Sequence, residues 1–592
     1  MKNTLSRVLY IDLSRKKFWV ESKTDLFEEW IGGSGVAIKL LEEECPRNAD
    51  PLGPQNPIVF AVGPFTAVYP LASKTVAMFK SPLTENLGES HCGGRSAIAI
   101  RLAGYGAIVI KGASETPIYL AIHGDKIHFR DGSAIWGMAS SYTVARILRQ
   151  SEPRDGTRTI MRIGRAGENL ISYSCVVTET YRHFGRLGLG AVFGSKKLKA
   201  LVISGKSNIQ ISDHRGYRET YKEIFDSSLS DEMRKYHELG TAMNVAPLNA
   251  HKAIPTRNLT QSEFKEADAI SGENFAQNFL GRRVACAHCP VSCIHLAALR
   301  EPYESEPYFY STKMISYDYE LIYALGSMLG IASPEKLLKL IDLVETFGLD
   351  AMSTGVALAW ATEAQGKQLI STTETGGLTL AWGDAETYLK AVRFLSSKVN
   401  EFYVALGKGV EYASSIYGGK EFALAFGRNE MPGYHTGPAA HLGCLVGSRH
   451  SHLDNAGYSI DQKGIGKEKL TPEEIVDRLL EEESWRQILS SLVICFFARG
   501  VYKPELVTKA FKAVGRETTE EELDKIGARI LGAKYGFKLR EGFSLSQLTI
   551  PERLFQTPTP LGDLSRETIT KGLKLAEDKL EHAVHTTSAC SP

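Results

Sequence analysis

The chain has 592 residues, 43% of them hydrophobic and 23% charged, with a formal net charge of +1. These are the values of an ordinary globular protein long enough for several domains, and the near-neutral balance argues against a nucleic-acid footprint or an anionic-membrane surface. The apolar run Val8-Leu9-Tyr10-Ile11 is too short for a signal peptide, and no run approaches the roughly 18 residues of a membrane span. Nine cysteines, an odd number, fit a reducing cytoplasm better than a disulfide framework.

In chain order, residues 1–208 read as β-rich. Strands are expected over Val8–Leu13 and Lys17–Glu21, then Ile58–Val62, Thr75–Phe79, Ser96–Arg101, Ala107–Lys111, Ile118–Ile122 and Ala200–Ser204, broken by Gly and Pro. The Gly-rich turns Gly32-Gly33-Ser34-Gly35, Gly93-Gly94 and Gly185 to Gly190 let backbone N–H groups approach an anion, or are simply tight turns; none has Rossmann or Walker spacing. Residues 209–420 read as helical, with amphipathic runs at Tyr217–Leu229, Pro334–Phe347 and Ala385–Val399. Residues 421–592 form a third region, rich in Gly and His over Met431–Asp454. Within it Thr471-Pro472-Glu473-Glu474 is a helix start with an N-cap, Pro at N1 and Glu at N3. Thr586–Pro592 reads as a frayed tail. No solenoid-type repeat is apparent. One faint internal echo lays Glu345-Thr346-Phe347-Gly348-Leu349-Asp350 over Ser490-Ser491-Leu492-Val493-Ile494-Cys495, each a helix end followed by a polar or thiol group.

The strongest local signal is Cys286-Ala287-His288-Cys289-Pro290-Val291-Ser292-Cys293, three thiols at C-x2-C-x3-C spacing. A tight loop opening into a helix can aim three such thiols at one point, as Fe–S ligation requires. Zinc with His288 or His295 as the remaining ligand is the alternative. Cys495, in the apolar run Leu492–Phe497, offers a distant fourth thiolate.

Over nearly its whole length the chain resembles the aldehyde:ferredoxin oxidoreductase family. The resemblance is carried by Val8–Leu13, Ile31-Gly32-Gly33-Ser34-Gly35, Lys80-Ser81-Pro82-Leu83-Thr84, Ile163–Asn169, Gly190–Ala200, the cysteine cluster and Gly348-Leu349-Asp350. It implies an α+β fold: an N-terminal β-sheet base domain and two mainly helical domains enclosing a tungsten or molybdenum bis-pyranopterin, a [4Fe–4S] cluster and Mg2+ between the pterin phosphates. By the resemblance, Cys286, Cys289, Cys293 and Cys495 are the cluster ligands. Lys74, His91, Gly93, Gly94, Arg182, His183 and Arg186 fall in the stretches that handle pterin, phosphate or cluster. Glu345, Gly348, Leu349 and Asp350 form one pterin motif, and Ser490 and Ile494 with Cys495 the other. Glu345 stands in place of an aspartate there, Ser490 in place of a second aspartate and Val493 in place of a glycine. Glu320 matches the segment that supplies an active-site glutamate. A histidine near the metal is expected at His452, preferred over His450, with Tyr434 lining the pocket. The activity implied is oxidation of an aldehyde to its acid, with electrons leaving to ferredoxin or an Fe–S partner subunit and the protein itself often a homo-oligomer. A member working reductively, on carboxylic acids or aromatic CoA esters, and a non-catalytic Fe–S electron-transfer subunit are the alternatives.

Overall fold

The computed structural model describes residues 4–153, 156–179, 181–303, 305–306 and 308–589. The first third of the chain folds into two six-stranded mixed sheets. Strands β1 (Arg7–Asp12), β2 (Lys17–Ser22), β3 (Ile58–Ala61), β4 (Thr75–Lys80), β5 (Leu87–Cys92) and β6 (Ala107–Lys111) make the first. Strands β7 (Ile118–His123), β8 (Lys126–Asp131), β9 (Thr157–Ile163), β10 (Val176–Val177), β11 (His183–Phe184) and β12 (Leu198–Gly205) make the second.

Their topologies are the same. The orders are β2-β1-β6-β3-β4-β5 and β8-β7-β12-β9-β10-β11. In each sheet an edge hairpin is followed by one parallel pair, β1 with β6 and β7 with β12, and the remaining pairs are antiparallel. The base is thus a duplicated unit, a repeat that the sequence does not betray because matching strands share burial rather than residues.

Two sequence expectations fail here. Ser96–Leu102 is a helix, not a strand. Six of its seven residues are buried, and a helix buried all round shows no 3.6-residue period, so its chance alternation of Ala and Ile imitates a strand. The cysteine loop does not open into a helix. It joins β13 (Leu280–Val284) to β14 (Ile294–Pro302), which pairs with β15 (Tyr310–Tyr317) in a three-stranded antiparallel sheet. Leu296-Ala297-Ala298-Leu299-Arg300 has high helix propensity, and strand pairing overrides it.

Elsewhere the helices follow their signals. Pro334–Phe347 and Ala385–Ser397 match the amphipathic runs. Thr471 and Glu474 form a reciprocal capping box at the start of Pro472–Ser491. The last helix, Arg566–Ala589, continues through Thr586–Ala589, the first four residues of the stretch expected to fray, and the final three residues of that stretch lie outside those described. One large core unites the helical parts. The first-sheet core also takes in Val493, Ile530, Ala533 and Phe537 from the far end of the chain, so the C-terminal region sits directly on the base.

Candidate active site and cofactor cavity

Two helix ends dock on the two halves of the base with the same bonds. At the end of Pro334–Phe347, Gly348 N–H reaches Glu345 O (3.1 Å) and Leu349 N–H reaches Val344 O (3.1 Å). At the end of Pro472–Ser491, Val493 N–H reaches Ser490 O (3.2 Å) and Ile494 N–H reaches Leu489 O (2.9 Å). Both are Schellman-type closures. Each then pairs with the loop before a base strand. Gly348 O accepts from Cys175 and Asp350 N–H donates to Tyr173 O; Val493 O accepts from Lys74 and Cys495 N–H donates to Leu71 O. The faint echo in the sequence is a structural repeat matched to the duplicated base. The approach is close enough to require glycine on the base side: a Cβ at Gly164 would lie 2.3 Å from Phe347 O, and one at Gly63 2.4 Å from Ser491 O.

Between base and helices lies a cavity of about 610 Å³. Its wall includes Lys74, His91, Gly93, Arg182, His183, Arg186, Glu345, Leu349, Asp350, Ile494, Cys293 and Cys495 together with Glu320, Tyr434 and His452. Gly94, Gly348, Ser490, Cys286, Cys289 and His450 are not part of that wall. His450 sits in the buried interior, its Nδ1 3.1 Å from Cys444 O and its Nε2 3.0 Å from Lys538 Nζ, so both ring nitrogens are engaged.

The four thiols of Cys286, Cys289, Cys293 and Cys495 are mutually in electrostatic reach. Burial, then the neighbouring thiols, pushes the Cys289 thiol well up. Burial raises Cys293 to about 11, against the pull of Arg182, whose Nη2 lies 3.8 Å from Cys293 Sγ. Burial opposes the charge on Lys74, yet the thiols of Cys495 and Cys286 hold its pKa above the ordinary lysine value. A Cβ at Gly93 would meet Cys286 Sγ at 2.9 Å, so only glycine leaves this space open. Leu71 ties the two cysteine segments together: its N–H donates to His288 O (3.0 Å) and its carbonyl accepts from Cys495 (3.0 Å). Cys289 and Cys293 pack on an apolar cluster that includes Leu489, Leu492 and Ile494, the shelter a redox cluster needs. Among the described residues no three His, Cys, Asp or Glu side chains are gathered as a single-ion site.

Asp318 caps the helix Tyr319–Leu325 by accepting from Leu321 N–H (3.3 Å), which fixes Glu320 in its first turn. Glu320 Oε2 accepts from Gly433 N–H (3.3 Å), and Oε1 lies 3.2 Å from His452 Nε2. Burial, then the nearby Asp318 charge, raises Glu320 to about 8. Burial, then Arg186, Arg486 and Arg449, keeps His452 well below the usual imidazole range. His452 opens the short helix His452–Asn455, held by a Ser451/Asp454 capping box. Tyr434 stacks on Tyr458 at 4.2 Å and lies 5.1 Å from His452. Its segment is clamped by Tyr319 Oη to Gly433 O and Tyr323 Oη to Met431 O.

Sequence reading missed Tyr142, Tyr458 and Glu430. Tyr142 Oη donates to Glu345 Oε2 (2.9 Å). Arg186 donates to Asp350 Oδ2 (3.0 Å) and to Glu430 O (2.7 Å), while Glu430 Oε2 accepts from Ser353 Oγ (2.6 Å). These partners come from distant parts of the chain, and no local spacing announces them.

A cavity too large for a side chain to fill, with thiols beside it, belongs to a protein built around a bound redox cofactor. Comparison with known proteins carries this further. The description "Aldehyde ferredoxin oxidoreductase, N-terminal domain" matches residues 8–205, and "Aldehyde ferredoxin oxidoreductase, domains 2 & 3" matches residues 217–581. The chain belongs to the aldehyde ferredoxin oxidoreductase family. It is 31% identical over 583 residues to a tungsten-containing aldehyde ferredoxin oxidoreductase of Thermococcus kodakarensis, covering 95% of this chain and 93% of the relative. It is 31% identical over 414 residues to "Aliphatic sulfonate oxidoreductase, WOR-like subunit" of Pyrococcus furiosus, 66% of this chain and 64% of that one. In fold it is similar to the solved structure "Active site complex BamBC of Benzoyl Coenzyme A reductase in complex with 1,5 Dienoyl-CoA", with a TM-score of 0.81 and 20% identity over 99% of this chain and 98% of that one. The α+β architecture is that of the family.

The family implies a tungsten–pterin cofactor, and the cavity fits one. Arg182 Nε, Arg186 Nη1, His452 Nδ1 and Asn429 Oδ1 are buried without a hydrogen-bond partner, and all four residues line the cavity. Orphaned buried polar atoms are costly, and a phosphate-bearing heterocycle satisfies this set, arginine forks suiting its anionic groups. The crowded thiols likewise call for a cationic centre to neutralise them.

Proposed function

We propose that this chain is a tungsten (or molybdenum) bis-pterin oxidoreductase that converts an aldehyde and water to a carboxylic acid, releasing two electrons and two protons. The observation that carries the reading is the Glu320–His452 pair on the cavity wall, a carboxyl and an imidazole 3.2 Å apart with clamped aromatic neighbours. When bound, the pterin-held metal supplies the two-electron redox centre, and a [4Fe–4S] cluster on Cys286, Cys289, Cys293 and Cys495 supplies single-electron exit toward ferredoxin or an Fe–S partner subunit.

The chain's own residues move the protons. Glu320, titrating near 8, exchanges a proton at either oxygen at small cost near neutral pH. Its Oε1 lies 3.2 Å from His452 Nε2, and His452, held well below the usual imidazole range, stays neutral beside it, so a proton taken from the aldehyde hydrate rests on Glu320. Tyr434 and Tyr458 give the apolar walls that hold the substrate's carbon chain. Arg186, Glu345 and Asp350 are placed for one pterin. At the other end of the repeat Ile494 and Cys495 reach the cavity wall, but Ser490 offers no carboxylate and is not part of that wall, so Arg449 and Asn429, which do line it, are the better candidates for the other.

The reductive reading has one observation in its favour: a carboxyl titrating near 8 is mostly protonated at neutral pH, ready to donate. Elemental analysis of anaerobically purified protein, followed by assay of aldehydes with an oxidised viologen and of acids with a reduced one, separates the readings. Tungsten or molybdenum with iron and viologen reduction by aldehydes supports oxidation. Turnover with acids alone supports reduction, and iron without either metal overturns both in favour of an electron-transfer subunit.

A further inference from the structure

We propose that the substrate carries an anionic group, such as a second carboxylate, remote from its reacting carbon, and that Lys235 and Lys463 receive it at the mouth of the cavity. The proposal rests on the oxidoreductase reading above and narrows its substrate class to acid-bearing aldehydes.

Of all the residues that line the cavity, only Lys235 and Lys463 are exposed. They therefore mark where it opens to water. Lys235 lies on the helix Asp231–Glu238 and Lys463 on the helix Gly457–Gly464. A third cation, Arg499, lines the cavity half-buried, its Nη1 on Phe496 O (3.0 Å). Among the described residues no carboxylate pairs with any of the three, although neighbouring Arg234 pairs with Asp231 at 3.2 Å. The acids of the wall, Glu89, Asp318, Glu320, Glu345 and Asp350, are all buried or half-buried. The exposed part of the lining is therefore cationic.

The aromatic side chains complete the path. Tyr236 stacks on Phe497 with ring centres 4.7 Å apart, and both line the cavity beside Lys235 and Arg499. Tyr458, on the same helix as Lys463, stacks on Tyr434 beside His452. A chain whose acid group stays hydrated at the lysines can thus run past aromatic faces to Glu320. A neutral aldehyde gains nothing from the rim. An exposed ion pair contributes modestly, so each lysine is worth roughly a three- to fivefold effect on affinity.

Two four-carbon pairs test this. Succinate and butyrate are titrated calorimetrically into the holoprotein, and succinic semialdehyde and butanal are compared as substrates with a viologen acceptor. Both are repeated with the Lys235→Gln/Lys463→Gln double variant. Equal metal content and thermal unfolding, expected for exposed lysines, establish that the variant is folded. Succinate is expected to bind roughly tenfold tighter than butyrate, to lose that margin in the variant and to weaken in high salt. KM for succinic semialdehyde is expected to rise with kcat unchanged, and butanal kinetics to stay as they were. Equal binding of the two acids, unchanged in the variant, overturns the proposal. So does a variant that slows only reoxidation by an acidic ferredoxin, which assigns the lysines to protein docking. Preferential succinate binding without turnover of any aldehyde upholds the anion site and defeats the oxidation reading instead.

Discussion

Glu320 is the residue on which the chemistry turns, and its environment sets a pH dependence. An unfolded glutamate titrates near 4.3, whereas burial raises Glu320 to about 8. The folded state therefore holds a proton that the unfolded chain releases. Its contribution to stability is complete below about pH 4.3 and is lost as pH rises through 8. Aldehyde oxidation needs the deprotonated form, so kcat/KM should rise as pH approaches 8. Glu320→Gln should lower kcat by about 10²-fold or more and abolish that rise, with metal content unchanged. A variant that keeps the rise would assign the titration to another group.

Tyr142 makes a second prediction at this scale. Its hydroxyl is the donor that Glu345 Oε2 receives, and that bond opposes the burial and like charges that lift Glu345 to about 8. Tyr142→Phe leaves a buried carboxyl short of a donor. It should cost about 1–3 kcal/mol in thermal unfolding and lower tungsten occupancy if Glu345 holds pterin. The cysteines and Glu320 could be singled out in the sequence because their types and spacing, or their family context, announce them. Tyr142 could not, because it meets Glu345 across 203 positions.

The repeated helix end explains why an element can be half legible. Gly348 and Val493 occupy the same turn, with φ of 71° and 56°. The left-handed region suits glycine, and a β-branched residue there is strained by about 1–2 kcal/mol. Val493 is fully buried in the first-sheet core, which offsets that strain by about 1.5–3 kcal/mol. Val493→Gly should therefore change stability by less than about 2 kcal/mol, since relief of strain and loss of burial oppose each other. Gly348→Val has no such offset. Its Cβ would meet Gly164 N at 3.1 Å and Gly164 Cα at 3.4 Å, so roughly 3 kcal/mol of destabilisation is expected, readable as a lower Tm. The capped amphipathic helices were legible because their period and their caps agree. The helix Ser96–Leu102 and the strands β14 and β15 were not, because full burial hides the one period and pairing overrides propensity in the other.

At the scale of the whole molecule, the cysteine loop, the base and the C-terminal region meet at Leu71, whose two backbone bonds reach His288 and Cys495. A cluster on the four thiols would close a loop of about 200 residues between Cys293 and Cys495, and by analogy with a disulfide that closure stabilises by about 5 kcal/mol. Cys495→Ser keeps the backbone bond to Leu71 and nearly the same side-chain volume, so the fold should persist. It removes one thiolate, so iron per chain should fall and Tm should drop in the iron-loaded protein. The same substitution should leave Tm almost unchanged once wild type and variant have both been stripped of iron by a chelator. A drop of equal size in the stripped proteins would place the effect in the packing around Cys495 and not in the closure. The duplicated base gives this tie its meaning: one helix end is held to its half of the base through Asp350 and Arg186, the other through a thiol beside Lys74. Loss of the fourth thiol should therefore loosen only the second half, detectable as faster amide exchange over Leu489–Ile494 with Val344–Leu349 unaffected.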